Sequence, residues 1–97
     1  MKQNWRTDSI VADYTEGAYC YLTGRQDNLD RHHCLTNALR DWAEENGLWV
    51  YLNHDVHMLL HQQRPDIEKR LKAKAQKAYE KTHSHGEWMK VVRKNYL

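Results

Sequence analysis

Seven histidines occur in this chain, and four of them have a spacing that would let them share one site. The stretch "DRHHC" at 30–34 sets His32 beside His33, and "HDVHMLLH" at 54–61 places His57 and His61 four residues apart. On a helix, residues at i and i+4 project from one face about a turn apart, so both imidazoles could reach the same cation. Two helix histidines also arise in ordinary hydrogen-bonding roles, so the pair gains weight only from a second element. The His32–His33 pair supplies one. Neighbours on a strand point to opposite sides, so one imidazole of such a pair fits ion binding while the other takes a different role beside it, such as that of a base. His54 lies three residues before His57 and would approach the same helix face. His83 and His85, further on, are expected in solvent.

The elements that would position these side chains follow from local pattern. "LWVYL" at 48–52, aliphatic and aromatic and bounded by Gly47 and Asn53, predicts a buried strand. Asn53 suits the N-cap of a helix over 54–62, which carries His57 and His61. Upstream, apolar patches at 19–22 and 29–34 flank the turn-forming "TGRQDN", which predicts two short extended pieces with His32 and His33 near the end of the second. Leu35, Leu39 and Trp42 are spaced for a short helix that stops at Asn46-Gly47. From Pro65, the residues Ile67, Leu71, Ala75, Ala78 and Tyr79 mark one side of an amphipathic helix. Ser84 followed by Glu87 forms a capping box for a last helix bearing Trp88, Val91 and Val92. Residues 1–17 show only weak periodicity.

Length and composition bound the answer further. Ninety-seven residues with 40% hydrophobic content, four Trp and six Tyr describe one globular domain rather than a disordered chain, and the strand and helices read above make an α+β class the expectation. Its core is expected at about 18–62, with C-terminal basic helices over about 65–97. No stretch is long and apolar enough for a membrane span or a signal peptide, so a cytoplasmic protein is expected, with no membrane partner. In that compartment Cys20 and Cys34 read as reduced thiols or metal ligands rather than a disulfide. Charge is unevenly divided: residues 1–63 hold five Lys/Arg against nine Asp/Glu, and residues 64–97 hold ten against four. A basic half attracts phosphate backbones by releasing condensed counterions, although a solvated helix face explains lysines equally well.

The stretches "CYLTGR", "LDRHHC", "ENGLWVYLNHDVH", "LLH" and the terminal "KNYL" together resemble the HNH endonucleases of the ββα-metal type, and more closely small phage-encoded HNH-like proteins. The resemblance covers about three quarters of the chain. It implies a ββα-metal core with a short β-hairpin, and a divalent ion (Zn, Ni, Co, Mn or Mg) held by His32, His57 and His61. It assigns His33 as general base in phosphodiester hydrolysis, with a carbonyl or carboxylate on its far nitrogen. Asn46 and Asn53 are candidates for the middle asparagine of the HNH name, and Asp30 and Asp55 for carboxylates behind the ligands. Arg31 is a candidate phosphate grip. Lys69, Arg70, Lys72, Lys74 and Lys77 would follow a DNA backbone without reading bases. Relatives of this kind carry a zinc knuckle of four cysteines. Here Cys20 is kept while Thr23, Asn53 and Val56 occupy the other three positions, so no structural zinc knuckle is expected. Packing by Tyr19, Tyr21, Trp49 and Tyr51 would then supply the stability that an ion gives elsewhere.

The expected function is that of a metal-dependent DNA endonuclease or nickase, phage or prophage encoded and acting in the bacterial host, with a homodimer through Trp-rich surfaces as a candidate assembly. Two other readings stay open. One is a non-catalytic interaction module or regulator that binds a host protein or nucleic acid on the same scaffold. The other is a structural zinc protein that uses Cys34 or Cys20 with the helix histidines.

Overall fold

The computed structural model describes residues 8–35 and 37–97, apart from the side chains of 37 and 61–63. Two antiparallel strands and a set of helices make an α+β fold. Strand β1 (Leu29–His33) is followed by a 3-10 turn (Asn37–Leu39), helix α1 (Arg40–Glu45) and strand β2 (Trp49–Asn53). Helices α2 (His54–Gln63), α3 (Pro65–Tyr79) and α4 (His85–Val92) complete the chain. Among the described residues, no helix is long and apolar enough to cross a membrane.

The strands pair in a fixed register, Leu29 with Asn53, Arg31 with Tyr51 and His33 with Trp49. They are joined through α1 rather than by a tight turn. Cys34 N–H on the Leu48 carbonyl (3.0 Å) and His54 N–H on the Asn28 carbonyl (2.7 Å) continue the pairing at either end. The connection must reverse tightly after α1, and Gly47 makes that reversal at φ +72°, where a Cβ would run into the Asp8 carbonyl. Glycine tolerates both demands.

Irregular chain covers the outer edge of β2. Ser9 Oγ donates to the Trp49 carbonyl (2.6 Å), Tyr51 N–H donates to Tyr14 Oη (2.7 Å), and Tyr21 N–H donates to the Tyr51 carbonyl (2.8 Å). An exposed strand edge offers unpaired amides to other chains, and these bonds occupy it. The first predicted extended piece, 19–22, is therefore not a strand. Cys20 N–H bonds the Arg25 carbonyl and Gly24 N–H bonds the Cys20 carbonyl, which folds the segment into a compact turn.

The core joins both strands to α1, α3 and α4. Val50, Leu52, Leu48, Leu35 and Leu60 are buried with Leu71, Ala75, Tyr79 and Trp88. Trp42, Tyr79 and Trp88 meet with ring centroids 5.2 to 6.1 Å apart, in the tilted and edge geometries that aromatic quadrupoles favour. Trp49 and Trp88 are buried and Trp42 packs against the core beside Trp88, so the described tryptophans serve the interior and not a Trp-rich outer surface. Tyr14 also joins Trp49 and Tyr51 in an aromatic cluster that the sequence pattern did not assign to it.

Caps fix where the helices begin. Asn53 Oδ1 accepts from Asp55 N–H (3.1 Å) at the start of α2, and its Nδ2 donates to the Asp27 carbonyl (2.9 Å) ahead of β1. Ser84 and Glu87 make the reciprocal capping box of α4. Gln76, buried in α3, receives Tyr96 N–H on Oε1 (2.7 Å) and donates to Asn95 Oδ1 (2.8 Å), while Trp88 Nε1 donates to the Lys94 carbonyl. The terminal "KNYL" is therefore strapped back onto α3 and α4.

Asn53 is fully buried and joins three segments with one side chain, so its removal leaves the Asp27 carbonyl and the Asp55 amide without their partner. Asn53→Ala should lower unfolding stability by about 2 kcal/mol, the sum of a lost cap and a buried carbonyl left unpaired. Urea denaturation at constant pH measures this as a lower midpoint with an unchanged slope.

Candidate functional site

Alternation along β1 distributes its polar side chains to two sides. Asp30 and His32 meet α2, whereas Arg31 and His33 meet Glu44 of α1. The adjacent histidines thus enter two separate clusters.

On the α2 side, His32 is 5% exposed and its Nδ1 lies 3.3 Å from His57 Nε2, with the rings near perpendicular. Asp30 Oδ2 receives His57 Nδ1 at 3.1 Å and His54 Nδ1 at 2.7 Å. A carboxylate accepts and an imidazole nitrogen donates, so Asp30 places the His57 proton on Nδ1 and turns the Nε2 lone pair toward His32. Hydrogen bonds from His54 and then His57 hold the Asp30 carboxyl below its ordinary value against a smaller opposing effect of burial.

This donor set suits a cation. Two imidazole nitrogens bound tetrahedrally at about 2.0–2.1 Å from one ion lie roughly 3.3–3.4 Å apart, and metal-bound histidines generally donate their other N–H to a carboxylate. His32 and His57 meet the first condition, and Asp30 meets the second. The same spacing also serves a direct N–H···N hydrogen bond. His61 follows His57 by one turn of α2, but its side chain lies outside the described residues. Among the described residues, no group of three His, Cys, Asp or Glu side chains converges as a metal site, so the described part of the predicted triad is the pair.

On the α1 side, His33 Nε2 lies 2.8 Å from Glu44 Oε1. Arg31 grips the same carboxylate with both arms, Nε to Oε1 at 2.9 Å and an NH2 nitrogen to Oε2 at 2.6 Å. Its guanidinium lies 3.5 Å from the centroid of the Trp49 ring, a cation–π contact. The predicted phosphate grip is therefore engaged within the protein. Burial pushes the Glu44 carboxyl up, but the hydrogen bonds from Arg31 and His33 outweigh it and hold it below its ordinary value. Glu44 escaped the sequence reading because its partners lie eleven and thirteen residues away, beyond any helical or strand period. The one available signal was that Arg31 and His33 share a strand face and call for a carboxylate.

The remaining candidates are placed as follows. Asn46 Nδ2 donates to the Trp42 carbonyl (2.8 Å) and closes α1, and Asn53 is the buried strap described above. Asp55 is exposed in the first turn of α2. Lys69, Arg70, Lys74 and Lys77 are exposed along α3, while Lys72 is half-buried with its Nζ 5.7 Å from the Tyr96 ring centroid. His85 is exposed, but His83 is half-buried and lies flat on Tyr79 with centroids 4.1 Å apart.

Both cysteines are free and buried. Burial raises the Cys34 thiol to about 12, a poor starting point for a metal-binding thiolate. Burial also raises the Cys20 thiol, yet hydrogen bonds from the Asn53 amide, the Thr23 hydroxyl and amide and the Leu22 amide prevail and lower it. Positions 20, 23 and 53, where a zinc knuckle would supply ligands, are thus joined by hydrogen bonds to sulfur. A cavity of about 740 Å³ opens beside Tyr14, Trp49, Tyr51 and Arg31, on the sheet face that also carries His33.

No protein-family model, curated protein or solved structure matches the chain.

The depressed value of Glu44 gives a signed pH dependence. Its stabilisation is complete above the ordinary 4.5 and is lost as pH falls through the lower folded-state value. Glu44→Gln should flatten the acid limb of the stability profile, read as denaturant midpoints between about pH 3 and about pH 6. An acid limb as steep as the parent's would show that Glu44 does not contribute.

Proposed function

We propose that this chain is a metal-dependent DNA endonuclease or nickase of the HNH, ββα-metal type. The observation that carries the reading is the His32–His57 separation of 3.3 Å with Asp30 behind His57, set on two antiparallel strands followed by a helix. The residue types and order agree with the resemblance noted in the sequence. His32 and His57, joined by His61, would hold the ion. Bound there, a divalent ion would polarise a phosphate oxygen and stabilise the charge that develops on the departing 3′ oxygen.

The chain's own residues then have distinct tasks. His33 takes a proton from the attacking water, a task suited to an imidazole, whose neutral ring carries one free lone pair. Asp30 orients His57 and keeps its Nε2 lone pair available. Lys69, Arg70, Lys74 and Lys77, exposed on one helix, neutralise neighbouring phosphates without base contacts and make binding strongly salt dependent. Because His32 and His33 lie on opposite sheet faces, the scissile phosphate has to span the end of β1, where His33 is the last residue. A phage-encoded protein acting in the bacterial cytoplasm fits this activity, alone or as a homodimer that cuts both strands.

One observation favours a second reading. His32, His33 and His57 all take part in hydrogen-bonded clusters that brace the sheet against α1 and α2. Such bracing would also suit a binding module that has kept the scaffold without cleavage.

A plasmid-nicking assay across Mg, Mn, Co, Ni and Zn separates the two. His33→Ala and His57→Ala should each reduce nicking at least about 100-fold, the lower bound of a general base's contribution. Calorimetric titration should show that His33→Ala still binds the ion and His57→Ala binds it weakly. Nicking that survives both substitutions rejects the assigned roles.

A further inference from the structure

We infer that Glu44 is the positioning residue for His33, holding its proton on Nε2 so that Nδ1 is the basic nitrogen. The inference rests on the reading of His33 as the base. Glu44 Oε1 stands 2.8 Å from His33 Nε2, and an ionised carboxylate can only accept, so the nitrogen facing it must carry hydrogen. In neutral imidazole the other nitrogen then holds the lone pair. His33 Nδ1 has no hydrogen-bond partner among the described residues, whereas Nε2 is fully engaged.

The carboxylate is itself fixed. Arg31 forks onto both of its oxygens, at 2.9 and 2.6 Å, and the guanidinium is set by the Trp49 ring 3.5 Å away. The side chains of His33, Arg31 and Glu44 are only 11%, 17% and 14% exposed, so water competes little for these bonds. The chain Trp49, Arg31, Glu44, His33 leaves the imidazole one orientation and one tautomer. A carboxylate behind a base is valuable chiefly for this: it selects the tautomer and stabilises the imidazolium that forms.

In the hydrolysis, a water O–H bond breaks and its proton moves to Nδ1 while the oxygen forms a bond to phosphorus. The P–O3′ bond breaks in the same displacement, and the 3′ oxygen leaves with the electron pair and takes a proton from solvent. His33 then carries both protons beside Glu44 and returns the Nδ1 proton to water.

The direct test is the His33 tautomer in the full chain, read by long-range 1H–15N correlation at about pH 8, where an ordinary histidine is neutral. Signals are assigned by their loss in His33→Ala. The parent should show hydrogen on Nε2 and none on Nδ1. Glu44→Gln keeps an oxygen acceptor and should keep that tautomer, with kcat for nicking within about tenfold of the parent. Glu44→Ala should show mixed tautomers and a kcat about 100-fold lower, with KM for DNA unchanged. A parent His33 protonated on Nδ1, or a folded Glu44→Ala that keeps the parent tautomer, overturns the inference. Should Glu44→Ala fail to fold, the parent and Glu44→Gln spectra decide. Unchanged nicking in His33→Ala would instead overturn the base reading, while the tautomer still decides for or against Glu44.

Discussion

The register between β1 and β2 determines which histidine meets which partner. With Arg31 opposite Tyr51 and His33 opposite Trp49, the odd positions of β1 turn toward α1 and the even ones toward α2. A slip of one residue would exchange the faces, sending His33 to α2 and His32 to Glu44. Several features resist such a slip. The Cys34 and His54 amides extend the pairing at either end, buried Val50 and Leu52 occupy the core side, and Asn53 joins the start of β1 to the start of α2.

Two carboxylates, one on each side of the sheet, turn this register into chemistry. Asp30 serves His54 and His57, and Glu44 serves Arg31 and His33. Stability is only part of what they supply, as the acid-sensitive contribution of Glu44 shows. Exposed pairs such as Arg25–Asp27 contribute little because water and salt screen them, and for enclosed pairs the loss of hydration offsets much of the attraction. What enclosed pairs supply is direction: each carboxylate decides which nitrogen of its histidine carries hydrogen. In the proposed nuclease site, one imidazole lone pair would face a cation and another water, and that arrangement would depend on this selection.

Much of the frame was legible in the sequence because local rules govern it. The strand at 49–53, its Asn53 cap, the stop at Asn46-Gly47, the Pro65 start of α3 and the Ser84–Glu87 box all lie where turn and capping chemistry puts them. The histidine spacing left open which of His32 and His33 would face α2, and the structure sets His32 Nδ1 3.3 Å from His57 Nε2. Less legible was whatever depends on contacts remote in sequence. The segment at 19–22 has strand-like composition but folds as a turn, because its amides find partners at Arg25 and Tyr51. Glu44, Tyr14 and Gln76 follow no apolar period, yet each ties together distant parts of the chain. The opposite placement of His32 and His33 followed from strand alternation alone, whereas the Glu44 and Arg31 cluster around His33 required the path of α1.

Metal coordination in solution tests the central claim most directly. X-ray absorption spectroscopy of the Co(II)-loaded chain should show imidazole nitrogen at about 2.0–2.1 Å, with that scattering diminished in His32→Ala and in His57→Ala alike. Coordination by oxygen alone, or a spectrum indifferent to both substitutions, would contradict a cation held between β1 and α2.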